Sequence, residues 1–260
     1  MKSSQPVFGC YSKYYETIYS EKEYIEEANF LYNLLSLWSN NPSDILEFGS
    51  GTSKLSIILA SKFDKITCVD SSETMIDIAK KNLLKVGRDI SSKIKLQNCD
   101  ITNLNLEKKF DLLISFFHVV CYFNSNKELR TFFEKASSHL SKNSLFIFDY
   151  WYGPAVLHQK PSNRNKVIPT NSGLIKRSCI SELNDNNSTV SVKYKINFVD
   201  SNDNLIEEIY ETHNMRYLFL NEINMYADLY GFEVLRHGSW FKNTPPNIDD
   251  WNAYSILRKR

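Results

Sequence analysis

The chain has 260 residues, with 31 Lys and Arg against 30 Asp and Glu and a formal net charge of +1. That length accommodates one large α/β domain, with room for an insertion and a sizeable buried core, and the balanced charge supplies no field that would draw the protein to nucleic acid or to an anionic membrane. The five cysteines, Cys10, Cys68, Cys99, Cys121 and Cys179, lie far apart without a C-x-x-C pair and mostly within apolar runs; this suits reduced, buried thiols and argues against a metal site. No segment approaches the roughly 20 apolar residues of a membrane span, and the N-terminus has no signal-like apolar stretch, so a cytoplasmic protein is expected.

In chain order, a Tyr-rich stretch, YSKYYETIY (11–19), precedes a helical pattern, EYIEEANFLYNLLSLW (23–38). From Asp44 short apolar runs alternate with helical periodicity. The runs are DILEFG (44–49), KITCVD (65–70), KIKLQNCD (93–100), FDLLISFF (110–117) and SLFIFDYW (144–151). The intervening helices are TSKLSIILASKF, SETMIDIAKKNLLKVG and NKELRTFFEKASSHLS. This rhythm predicts a parallel sheet with crossover helices, its strands apolar throughout because both faces are covered. Ser72 is the expected N-cap of the second helix and Gly87 its C-cap. Between about 165 and 220 the texture changes to three strand-like stretches, LIKRSCISEL, STVSVKYKINFV and NLIEEIYETHNMRYLFL, separated by NDNN and DSNDN. They predict an inserted antiparallel meander. A helix, NEINMYADLYG, and two strands, FEVLRHGSW and NAYSILRKR, close the chain.

The stretch ILEFGSGTSKLS places Gly49, Ser50 and Gly51 at the first strand-to-helix turn, where ligands of open parallel sheets bind. Glycines there let a ligand approach the main chain. A dinucleotide fingerprint would need glycine at 54, which is Lys54, and there is no G-K-[ST] phosphate loop, so a nicotinamide dehydrogenase is disfavoured. Glu47 suits a cationic amine, Asp70 at the end of strand two suits two ribose hydroxyls, and Asp100 at the end of strand three suits the exocyclic amine of adenine. Each carboxylate singly also fits a solvated turn or a helix cap.

LEFGSGTS, CVDSSETMIDIAKKN, LQNCDI and FDLLISFFHVVCYF together resemble the successive motifs of class I S-adenosylmethionine-dependent methyltransferases, over residues 44 to 151. The resemblance implies an α/β, Rossmann-like, seven-stranded and mostly parallel sheet with the last strand antiparallel, carrying the meander as an insertion. It also implies S-adenosylmethionine as cofactor, S-adenosylhomocysteine as product, and no metal. The third glycine usual in that family's pattern is Ser53 here. FFHVVCYF, FDYWYGPAVLHQKPSNR and ETHNMRYLFLNEI resemble a branch met in bacterial surface-polysaccharide clusters, and the whole arrangement is similar to sugar-amine and glycine N-methyltransferases, in which a Tyr-rich segment covers the cofactor.

The expected organisation is a helical lid segment (1–40), the cofactor-binding core (41–152), an acceptor-side insertion (153–220) and the end of the core sheet (221–260). Cofactor-binding residues are expected to be Tyr15, Tyr19, Glu47, Gly49, Ser50, Gly51, Asp70, Ser71, Met75, Cys99, Asp100, Ile101, Ser115 and Phe116. The tyrosines would present aromatic faces to the sulfonium, or else form a packing face. His118, directly after strand four, is the expected base for the acceptor's proton. Tyr122, Tyr150, Tyr152, Arg164, His213, Arg216 and Tyr217 are expected to hold the acceptor, with Arg164 or Arg216 anchoring a phosphate or carboxylate. Asp149 and Trp151 would wall the same pocket. The acceptor is expected to be a sugar, a sugar nucleotide or a small amine, methylated on oxygen or nitrogen by a monomer or homodimer. The alternatives are a small-amine or amino-acid N-methyltransferase and a non-catalytic module that only binds the cofactor.

Overall fold

The computed structural model describes residues 8–9, 11–38 and 41–260; Cys10 and most of the segment before the Tyr-rich stretch lie outside the described residues. Helices are α1 (Ser12–Ile18), α2 (Tyr24–Leu37), α3 (Lys54–Leu59), α4 (Glu73–Leu83), α5 (Arg88–Ser91), α6 (Asn126–His139), α7 (Gly153–Gln159) and α8 (Leu220–Leu229). Strands are β1 (Asp44–Phe48), β2 (Lys65–Asp70), β3 (Ile94–Asn98), β4 (Phe110–Ser115), β5 (Leu140–Trp151), β6 (Arg164–Thr170), β7 (Gly173–Asn184), β8 (Thr189–Asp200), β9 (Leu205–Arg216), β10 (Phe232–Ser239) and β11 (Asn252–Lys259).

Seven strands form one sheet in the order β3-β2-β1-β4-β5-β11-β10. Strands β1 to β5 pair in parallel, and β11 runs antiparallel to both β5 and β10. Successive residues of β1 serve opposite layers: Leu46 and Phe48 pack with α6 and α8 side chains, Ile45 with α2 and α3. Phe132 of α6 is fully buried against the rings of Phe48, Phe123, Phe133, Phe146 and Phe148 at centroid distances of 4.8 to 6.2 Å. A capping box starts that helix: Glu128 N–H donates to Ser125 Oγ, and Ser125 N–H donates to the Glu128 carboxylate. At α4 the Ser72 hydroxyl accepts from Met75 N–H as expected, whereas the helix ends at Leu83 and Gly87 instead precedes α5.

The insertion has four strands in the order β6-β7-β8-β9, one more than the three expected. The extra strand, β6, carries Arg164 at its start. Its signal is weak because it is an edge strand with a single buried apolar residue, Ile168, next to Pro169. The insertion returns to the core where Leu218 N–H donates to Trp151 O and Gly153 N–H donates to Leu218 O, at 2.9 and 2.8 Å. This seats the second sheet beside the carboxyl ends of β4 and β5. Helix α1 fills the space between, with Tyr11, Tyr14, Tyr15 and Ile18 buried against Met75 of α4 and Ile168, Ile175, Ile196 and Ile209 of the second sheet. No helix among the described residues is long and apolar enough to cross a membrane.

Because Phe132 joins the sheet to α6 in a closely packed aromatic layer, Phe132→Ala should lower the unfolding free energy by about 3–5 kcal/mol. Urea unfolding of the two proteins measures this, and a loss below about 1 kcal/mol would show that the layer does not depend on this ring.

Candidate active site

The turn after β1 is shaped by its hydrogen bonds. Gly49 N–H and Ser50 N–H both donate to Val69 O of the neighbouring strand, at 2.8 and 3.0 Å. Gly49, Gly51 and Ser53 all take positive φ, +69°, +54° and +56°. A Cβ on Gly49 would lie 2.3 Å from Val119 Cγ2, while Gly51 faces open space. Ser53, where the pattern that this turn resembles has a third glycine, adopts the left-handed backbone a glycine would take more easily.

That open space is a cavity of about 350 Å³ at the carboxyl ends of β1, β2 and β3. Asp70 Oδ2 accepts from Gly51 N–H at 2.8 Å and Oδ1 from Ser72 N–H at 2.9 Å. Each oxygen keeps capacity for another donor. Burial pushes the Asp70 carboxyl up, and the two N–H bonds partly counter that. Asp100 Oδ1 accepts from the Thr102 N–H and hydroxyl, both at 2.7 Å, capping a short 3-10 turn while the residue lines the cavity. Glu47, only 4% exposed, accepts from Ser56 Oγ through Oε2, and burial lifts its carboxyl to about 7.

Tyr15, Glu47, Gly49, Ser50, Gly51 and Asp70 line this cavity, as do Ser71, Met75, Asp100, Ile101 and Phe116. Three expected members do not: Tyr19 lines the next cavity, Ser115 is fully buried with its hydroxyl on Phe48 O, and Cys99 Sγ turns to Asp100 O. Sequence reasoning missed Lys22, whose position in a polar stretch between two helices gives no periodic signal. Its Nζ pairs with the buried Glu27 at 2.5 Å and lies over the rings of Tyr24 and Phe117, at 4.1 and 4.5 Å. Glu47 and Lys22 both face the cavity and together offer a carboxylate and an ammonium, the complement of an amino-acid zwitterion. The buried Ser50 hydroxyl has no partner among the described residues. The cavity therefore fits an adenosyl amino acid, for which Asp70 could hold the ribose, Asp100 the base, and Glu47 with Lys22 the amino-acid end.

A second cavity, of about 380 Å³, lies beyond a wall made by Phe8, Phe117 and Tyr122, which border both spaces. His118 opens onto it. Phe117 and His118 both have φ of +65°, and the buried Asp149 carboxylate holds this turn by accepting from His118 N–H at 2.9 Å and engaging Nδ1 at 2.6 Å. A carboxylate on Nδ1 assigns the proton to that nitrogen and leaves Nε2 as a bare acceptor. Tyr19, Trp151, Arg164, Arg177, Tyr194 and His213 also line the space. Asp149 thus sits behind the wall rather than in it.

The other expected acceptor residues fall elsewhere. Tyr150 is fully buried in the core, Tyr152 precedes α7, and Tyr217 follows the end of β9 with its ring on Phe219; none lines the cavity. Alternation along β9 sends His213 and Met215 inward and Arg216 to the other side, where it bonds Asn124 O and Asn126 and pairs with Glu222. Arg177, from the middle of β7, takes the place expected for Arg216 and lies over the rings of Tyr19 and Tyr194. Among the described residues no group of three or more His, Cys, Asp or Glu is placed to hold a metal.

Residues 45–143 match a family model described as a methyltransferase domain. No curated protein sequence matches the chain. Among solved structures, an S-adenosylmethionine-dependent methyltransferase from Clostridium acetobutylicum aligns at 22% identity and a TM-score of 0.81, over 96% of this chain and 99% of its own. The sugar N-methyltransferase KedS8 from Streptoalloteichus aligns at 15% identity and 0.80, over 100% and 98%. CalS10, an amino pentose methyltransferase from Micromonospora echinaspora, aligns at 14% and 0.75, over 99% of each chain. At these identities the likeness establishes the fold.

Two outcomes follow for S-adenosylhomocysteine binding, read by calorimetry. Asp70→Ala should weaken it by about 1–3 kcal/mol through loss of charge-assisted hydrogen bonds, and an unchanged affinity would remove the ribose role. The raised carboxyl of Glu47 costs the empty protein stability as pH rises from the ordinary carboxylate range toward 7, since the ionised form is the buried charge. A bound ammonium favours that ionised form, so affinity should rise between pH 6 and 7.5, and Glu47→Gln should flatten the rise; an identical pH dependence in the variant would exclude Glu47 as the amine's partner.

Proposed function

We propose that this S-adenosylmethionine-dependent methyltransferase transfers a methyl group to an amine or hydroxyl of a small polar acceptor, a sugar or sugar nucleotide. The observation that carries the reading is the second cavity, separated from the first by a three-residue wall and lined by His118 with Nε2 bare. When bound, the cofactor supplies an electrophilic methyl and departs as a neutral thioether; the protein's part is positioning and proton removal.

Asp70, Asp100, Glu47 and Lys22 would hold the cofactor. Tyr19, Trp151, Tyr194 and Trp251 offer flat faces with polar edges, which suit a sugar ring. Arg164 and Arg177 give the cavity a cationic side that would take a phosphate or diphosphate. His118 Nε2 would accept the proton of the nucleophile, and Asp149 would stabilise the resulting imidazolium. A role in surface polysaccharide rests on the sequence resemblance of the later segments alone.

The test is S-adenosylhomocysteine formation with UDP-glucosamine, UDP-glucose, glucosamine and glycine as acceptors. Turnover should favour a nucleotide-linked sugar, and preference for glycine would support an amino-acid methyltransferase instead. With the best acceptor, His118→Ala should reduce kcat on the order of 10²-fold or more while leaving S-adenosylhomocysteine affinity unchanged. Full activity in that variant would show that another group takes the proton.

A further inference from the structure

A second histidine–carboxylate pair faces the acceptor cavity, and the reading above gives it no work. His213 Nε2 lies 2.8 Å from Glu211 Oε1, and His213 Nδ1 lies 2.7 Å from Tyr122 Oη. Glu211 Oε1 also accepts from Phe8 N–H at 2.6 Å, and Oε2 is buried with no partner among the described residues. The three side chains come from two layers: Tyr122 from the turn after β4, His213 and Glu211 from the inward face of β9.

The hydrogen-bond directions are constrained. A carboxylate oxygen accepting from a main-chain N–H acts as acceptor toward His213 as well, which puts the imidazole proton on Nε2. Nδ1 is then an acceptor, and the only proton available between it and Tyr122 is the phenol's. Tyr122 therefore donates to His213, and its remaining lone pairs are directed away from the imidazole. Of the three residues bordering both cavities, Phe8, Phe117 and Tyr122, only Tyr122 has a polar side-chain atom. His118, by contrast, borders only the acceptor cavity.

We propose that Tyr122, His213 and Glu211 form a second proton-accepting chain for the methyl transfer, opening on the wall between the two cavities. The inference rests on the methyltransferase reading. As the nucleophile bonds to the methyl carbon, its N–H or O–H bond breaks and the proton goes to Tyr122 Oη. The phenol's own proton moves to His213 Nδ1, leaving Tyr122 neutral and His213 an imidazolium beside the Glu211 carboxylate. No electrons leave the protein groups, and the positive charge ends on His213. Two features favour this direction. Burial pushes the Tyr122 phenol well above its ordinary range, so a free phenolate is not formed and the basicity comes from the imidazole. Among the described residues no Lys or Arg pairs with the buried Glu211 carboxylate, and an adjacent imidazolium supplies a cation. Tyr122 borders both cavities whereas His118 borders the acceptor cavity alone, so the two pairs can serve different protons of one ammonium acceptor.

The experiment has a structural and a kinetic arm. In the first, the full chain carrying 15N-labelled histidine is bound to S-adenosylhomocysteine at pH 7.5, with His213 signals assigned by their loss in His213→Gln. A neutral ring with the proton on Nε2 and bare Nδ1, whose Nδ1 shift moves in Tyr122→Phe, is the expected result. A proton on Nδ1, or a doubly protonated ring, overturns the chain. In the second, Tyr122→Phe and His213→Gln are compared with the parent using UDP-glucosamine or whichever acceptor of the panel turns over. Each should lower kcat on the order of 10²-fold with S-adenosylhomocysteine affinity within twofold of the parent. Retained affinity shows that the variants fold, and kcat within twofold of the parent overturns the proposal. Silence across the whole panel counts against the acceptor reading, and the nitrogen shifts then decide the chain by themselves.

Discussion

The backbone at the carboxyl ends of β1 and β4 has to reverse sharply, and it does so through five left-handed residues, Gly49, Gly51, Ser53, Phe117 and His118. These strands are neighbours at the point where the sheet order changes direction, so their two turns diverge and leave a crevice between them. Three of the five are not glycine. Each of those costs about 1–2 kcal/mol relative to a right-handed conformation, and something else must hold them. At His118 that is Asp149, whose carboxylate binds both the main-chain N–H and the imidazole of the same residue. One buried side chain thus fixes a strained turn and aims the ring it carries; the strain and the chemistry have a single source.

The electrostatics follow from the same edge. Glu27, Glu47, Asp149 and Glu211 are each less than 5% exposed, an unusual concentration of buried carboxylates. Lys22 answers Glu27, His118 answers Asp149 and His213 answers Glu211, whereas Glu47 has only the Ser56 hydroxyl and a weak contact from Cys68. Burial accordingly raises the affinity of Glu47 for its proton toward neutrality, and without an ionic partner it has most to gain from a cationic ligand. The acceptor cavity reverses this pattern, with Arg164 and Arg177 on its lining and the carboxylates set behind histidines. The two spaces therefore differ in charge, the first lined by Glu47, Asp70 and Asp100, the second by Arg164 and Arg177.

Much of the sheet was legible because covered parallel strands and amphipathic crossover helices have distinct periods, and the glycine turn marks its own position. Glu47, Asp70 and Asp100 could be read because each ends a strand or precedes a turn, so strand order alone brings them to one edge. The failures share a different cause. β6 hides behind Pro169 and a polar edge, where little burial leaves little pattern. Tyr150 and Arg216 were misplaced because alternation within β5 and β9 gives the period but not the face; Tyr150 turned into the aromatic core and Arg216 away from the cavity to Glu222. Asp149 was read as wall when it is the anchor of His118, since a contact 31 residues distant in sequence has no local signature.

The same reasoning explains why Tyr122 and His213 could be named from sequence while their relation could not. Tyr122 is placed by the turn after β4, and His213 by the inward face of β9; only the docking of the second sheet on the carboxyl edge, through the Trp151–Leu218–Gly153 hydrogen bonds, brings them within 2.7 Å. An inserted sheet that merely covered a pocket would need apolar contacts alone. This one presents a buried carboxylate and an imidazole through its packed face, at a desolvation cost that apolar residues in the same places would avoid. That cost is offset in part by the hydrogen bonds to Phe8 N–H and to Tyr122, both of which border the wall between the cavities. The insertion is thereby tied to the wall between the two cavities, so that its seating and the shape of that wall are set by one set of contacts.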